Sequence, residues 1–204
     1  MRGLLHQWGF YASIPAGGLL IALADGGRAR LALAVYALGL SGLLGTSALY
    51  HRVTWRTPGR RRWVRRVDHS MIYVLVAGTL TPFAVLVMEG TLATVLLVVV
   101  WSGAAAGIGL ALLWPDSPKR LSAAIYMALG WAGAAASPQI VEHAGAGALA
   151  LIAAGGLLYT AGAVAYALER PNPWPGIFAY HEVFHALVLA AALCHYLAVL
   201  LFAL

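Results

Sequence analysis

The 204-residue chain is 62% hydrophobic and 10% charged, with a mean hydropathy of +0.82. That composition excludes a water-soluble globule, because there is too little polar surface to cover one. A net charge of +6 and a single cysteine add that the chain is basic and forms no intramolecular disulfide.

A helix that crosses a bilayer needs about 20 mostly apolar residues. In chain order such runs fall at residues 8–24, 31–50, 68–88, 91–113, 121–137, 146–168 and 179–202. The expectation is an all-α membrane protein, a seven-transmembrane-helix bundle forming one domain over residues 1–204. Arg2 and the Ala22-Leu23-Ala24 stretch before Asp25 also have the layout of a cleavable signal peptide. A seventh span is preferred, since it closes the bundle and no soluble ectodomain follows. The connections carry turn chemistry, as in Asp25-Gly26-Gly27 and the proline-rich residues 171–176.

Orientation follows from the basic residues of the short connections. Of the 13 Lys and Arg, only Arg28 and Arg30 fall on one face. The N-terminus and the second, fourth and sixth connections hold the rest, so the N-terminus is expected to be cytoplasmic and the C-terminus external, in the cell membrane. Arg52 to Arg66, with Trp55 and Trp63, read as a connection lying against anionic inner-leaflet lipids. An arginine run and a pI near 9.8 also fit nucleic acid, but a short loop pinned by two membrane helices argues against that partner.

No half-to-half repeat of the transporter kind is visible. Small residues such as Gly103 and Gly107 read as helix-packing positions. Pro82, after Thr79 and Thr81, is expected to kink the third span and free carbonyls for those hydroxyls. Cys194, inside the last span, reads as a packing residue.

Ionisable side chains are costly at membrane depth, so each one there is a functional candidate. Ser47 and His51 close the second span four residues apart, on one helix face. Asp68 opens the third span. His181 and His185 open the seventh, again one turn apart. Because successive spans alternate in direction, these three clusters share one membrane side. Three imidazoles, His51, His181 and His185, are the ligand set of a Zn2+ site with an open position. Asp68 could then orient or deprotonate a water, and Ser47 could hydrogen-bond beside it. The competing reading is a set of interfacial histidines wetted by headgroups. His195, about 15 Å deeper, reads as an interhelical hydrogen bond. His69 points away from Asp68, while His6 and His143 read as inert loop residues.

Residues 181–185 also match H-E-x-x-H, the zincin signature in which the glutamate, here Glu182, is the general base. A third ligand at the spacing of the extended zincin form is missing downstream.

The stretches Ser47-Ala48-Leu49-Tyr50-His51, Asp68-His69-Ser70 and Ala77-Gly78-Thr79-Leu80-Thr81-Pro82-Phe83, with residues 170–176 and His181-Glu182-Val183-Phe184-His185, carry a resemblance. The chain resembles the hemolysin III branch of the progestin and adipoQ receptor family over nearly its whole length. The resemblance implies seven helices, a cytoplasmic N-terminus, zinc held by His51, His181 and His185, and roles beside it for Ser47 and Asp68. Receptor members commonly carry glutamine at the position of Glu182, and their long N-terminal extension has no counterpart here, so a hormone-receptor role is not expected. Receptors and alkaline ceramidases of similar arrangement imply hydrolysis of a lipid amide or ester. The alternative is a non-enzymatic protein with structural zinc, in membrane homeostasis, signalling or lysis; no polar face wide enough for a lytic channel is visible.

Overall fold

The computed structural model describes residues 2–204, and among them the fold is all-α. In order come α1 (Leu4–Leu23), α2 (Gly26–Arg52), α3 (Pro58–Leu86), α4 (Gly90–Leu113), α5 (Lys119–Trp131), a 3-10 turn (Ala132–Ala136), α6 (Ser137–Leu168) and α7 (Tyr180–Phe202).

Five helical stretches are long and apolar enough to cross a membrane: Gly26–Arg52, Pro58–Leu86, Gly90–Leu113, Lys119–Leu168 and Tyr180–Phe202. The first run expected to span, now α1, is not among them; its 20 residues are diluted by His6, Gln7, Ser13, Pro15 and three glycines. The fourth stretch covers 50 residues, about 75 Å if straight and far more than one crossing needs. Gly145 breaks it, with φ 83° and ψ 165°, a conformation glycine alone adopts without strain. The path goes out and back, because Lys119 Nζ donates to Glu169 Oε1 at 2.8 Å although the two residues bracket the whole stretch.

Side-chain contacts define two ends of the bundle. At one, Arg52 meets Gln7, Arg65 meets Asp116, and Lys119 meets both Glu169 and Tyr180. The start of α1, the end of α2, the starts of α3, α5 and α7 and the ends of α4 and α6 are thereby gathered together. At the opposite end His143 Nδ1 lies 2.9 Å from Val87 O and Gln139 accepts from Glu89 N. His143 is thus a helical residue that fastens α6 to the end of α3, not an inert loop residue.

The basic segment after Arg52 also differs from the expected loop. α3 begins at Pro58, a residue suited to the first helical position, and the arginines that follow are good helix formers. Arg60 to Arg66 therefore ride on an extension of α3.

The interior mixes large and small apolar residues, with Leu20, Leu33, Val100 and Val199 buried as fully as the alanines of the helix contacts. Fully buried positions include Ala77, Ala104, Ala148, Ala191 and Ala198, whereas Leu31, Leu38, Val98, Leu157 and Leu201 are exposed. Small residues let the helices approach, and a further set of large aliphatic residues is left on the outside, where lipid contact suits them. α3 runs unbroken through Pro82. Thr81 Oγ1 donates to Ala77 O at 2.7 Å and accepts from Trp101 Nε1; the carbonyl that Pro82 leaves without its helical donor is Gly78 O, so this hydroxyl does not serve the role expected of it.

Candidate metal centre

His51 lies one residue from the end of α2, and His181 and His185 occupy the first two turns of α7. The helix geometry puts the latter two on one face, and α7 packs against α1 and α3. One ring nitrogen from each of the three histidines lies within 4.8 Å of the others. His51 Nε2 and His181 Nε2 are 3.1 Å apart. Tetrahedral zinc with Zn–N bonds of about 2.0–2.1 Å sets ligand nitrogens roughly 3.3 Å apart. The donor set therefore fits such an ion, and the His51–His181 spacing is close to the tetrahedral one.

Ser47, one turn before His51, and Asp68 on α3 are both buried and line the same cavity as the three imidazoles. Asp68 lies outside the group of mutually close donor atoms, so it stands beside the cluster rather than in it. His69 lines the cavity too, without joining the group.

His6 is the residue that sequence reasoning missed. It sits in the first turns of α1, not in a loop, and is 2% exposed. Its ring stacks face to face on His185, centroids 3.9 Å apart and planes 9° from parallel. Neither of its nitrogens has a hydrogen-bond partner. Its isolation, with no second histidine one turn away, offered little signal; only its placement one helix-length from Asp25, at the same end as His51, could have raised it.

Glu182 does not behave as the zincin base. Its Oε2 accepts the backbone N–H of Ala179 at 3.0 Å, capping α7, and its Oε1 lies 3.6 Å from Arg2 Nε. It does not line the cavity. Adjacent residues on a helix diverge by about 100°, so histidines that converge carry the intervening glutamate away.

The cavity itself has a volume of about 220 Å3 and reaches from Arg65 and Lys119 at the histidine end to Ile140 and Leu149. Apolar groups dominate its wall. His195, deep on α7, places Nε2 3.1 Å from Ile152 O on α6, the interhelical hydrogen bond its depth implied.

These features define a multi-pass membrane protein of α-helices with an imidazole cluster at one end of an internal cavity. The family model described as "Haemolysin-III related" matches residues 1–196. The chain belongs to that family, the hemolysin III branch of the progestin and adipoQ receptor proteins. It is 34% identical to "Hemolysin-3 homolog" of Bacillus subtilis (strain 168), over 98% of this chain and 92% of that protein. It is 29% identical to "Hemolysin-3" of Bacillus cereus, covering 100% and 90%. The human "Monocyte to macrophage differentiation factor" is 26% identical over 95% of this chain and 79% of its own length.

Proposed function

We propose that this protein is a zinc-dependent hydrolase of lipid amides or esters, crossing the cell membrane seven times with its N-terminus in the cytoplasm. The observation that carries the reading is the junction of the His51, His181 and His185 cluster with an apolar cavity that Ser47 and Asp68 also line. An acyl chain suits such a wall, and its carbonyl would then lie among the polar groups at the mouth.

The three histidines would hold the ion, which when bound supplies Lewis acidity toward a carbonyl and makes water more acidic. The chain's own groups do the rest. Asp68 accepts the proton of the attacking water and returns it to the leaving nitrogen or oxygen, so that the acyl–heteroatom bond breaks and a fatty acid and an amine or alcohol leave. Ser47, buried beside it, donates a hydrogen bond that fixes the carboxylate or the water. The arginines along residues 52–66 would rest on anionic headgroups of the inner leaflet.

A second reading keeps the zinc but not the catalysis. His51 meets His181 across α2 and α7, so an ion there would also tie these helices together, and the protein would act in membrane homeostasis, signalling or lysis. Comparing Asp68→Asn with His185→Ala separates the two. Purified wild type should carry about one zinc per chain, and His185→Ala should lose it under either reading. Asp68→Asn should retain zinc and fold while hydrolysis of a panel of lipid amides and esters falls by roughly a hundredfold or more. Equal turnover by wild type and Asp68→Asn would overturn the catalytic reading.

A further inference from the structure

The far part of the cavity holds two buried polar atoms without partners, His195 Nδ1 and the Tyr159 hydroxyl. Both residues line the cavity that begins at the three histidines, and their rings lie 5.4 Å apart, centroid to centroid. His195 is 9% exposed. Unpaired polar groups are costly in an apolar interior, so the pair is a place where something polar belongs.

The chemistry of the pair is readable. His195 Nε2 faces Ile152 O, and a carbonyl only accepts, so Nε2 carries the proton. In a neutral imidazole the other nitrogen is then an acceptor. Nδ1 needs a donor, while the Tyr159 O–H can donate. A group that both donates and accepts satisfies the two together. An alcohol does this; a ketone or ester carbonyl, which only accepts, leaves Nδ1 unpaired. Glycine at position 155 of α6 fixes the Nε2 edge of the ring against that helix, since a Cβ there would collide with His195 Cδ2 and Nε2.

We propose that the deep end of the cavity is a hydroxyl-binding site, selecting amphiphiles with an alcohol part-way along an acyl chain. His185 and His195 are ten residues apart on α7, about 15 Å along the helix. That matches roughly a dozen methylenes of an extended chain whose polar head lies at the histidine cluster. The inference rests on the cavity's being a lipid site, as proposed above, but not on hydrolysis.

The test is equilibrium displacement of radiolabelled stearate from the full chain in phosphatidylcholine nanodiscs. The competitors are stearate, 12-hydroxystearate, 12-oxostearate and 6-hydroxystearate. The hydroxyl at carbon 12 should tighten binding about tenfold over stearate, the worth of a pair of hydrogen bonds to otherwise unsatisfied groups. The 12-oxo and 6-hydroxy acids should gain little. Tyr159→Phe, which keeps the ring, should reduce the 12-hydroxy preference to about threefold or less while leaving stearate affinity unchanged. Equal binding of all four acids means that water alone serves the pair, and overturns the hydroxyl site while leaving the lipid cavity intact. An undiminished preference in Tyr159→Phe overturns it as well. Failure of stearate to bind at all sinks both this inference and the lipid reading of the cavity.

Discussion

His6 holds His185 by the face of its ring rather than through a hydrogen bond. Groups behind a metal ligand commonly tune affinity ten- to a hundredfold, and stacking fixes a ring plane as a hydrogen bond fixes a ring edge. His6→Ala should therefore weaken zinc binding about tenfold, measured by competition with a chromophoric chelator, and His6→Phe should restore most of that loss because it restores the flat face. Equal weakening in both variants would point instead to the unpartnered nitrogens of His6. The contrast with the other three histidines explains what the sequence could disclose. His181 and His185 announce themselves by four-residue spacing, and His51 by sharing that pattern with Ser47. His6 has no such companion, and its assignment to a loop followed from starting the first helix at Trp8 instead of Leu4.

Helix ends decide most of the remaining geometry. At the start of α7 the Glu182 carboxylate caps the Ala179 N–H and approaches exposed Arg2. Glu182→Gln keeps an acceptor for the cap and gives up only a largely solvent-screened ion pair, which is worth little. Thermal stability in detergent should be nearly unchanged, and on the hydrolase reading zinc content and lipid turnover should persist, whereas loss of a zincin-type base would cost a hundredfold or more. α6 has two positions where glycine is required for different reasons. At Gly145 the positive φ excludes other residues, and at Gly155 the His195 ring occupies the space of a Cβ. Gly155→Ala should lower the unfolding midpoint by the equivalent of about 1–3 kcal/mol, the usual cost of overpacking. Neither effect could be read from the sequence, where both glycines sit among many others in an Ala- and Gly-rich stretch. The break itself was legible, because the polar residues around Glu142 and His143 separate two apolar runs.

Across the whole molecule, the convergence of Ser47, His51, Asp68, His181 and His185 was foreseeable from helix parity alone, since alternate helix ends share a side. What parity could not supply was the cavity, which depends on how α3, α5, α6 and α7 tilt and pack. Orientation rests on the basic residues: a reporter fused after Leu204 should read as external and one inserted at Arg60 as cytoplasmic. Both on one side would dissolve the parity argument. The order of synthesis adds a last consequence. The ring nitrogens of His51 and His181 touch across 130 residues of chain, and α7 is made after the six helices that precede it. A nascent chain emerging from the ribosome therefore holds a solitary imidazole of the three-histidine cluster until the start of α7 has been made. On the zinc reading, loading of the three-histidine site would then have to wait for α7 to join α2, so that an ion held there would report that these two helices have come together.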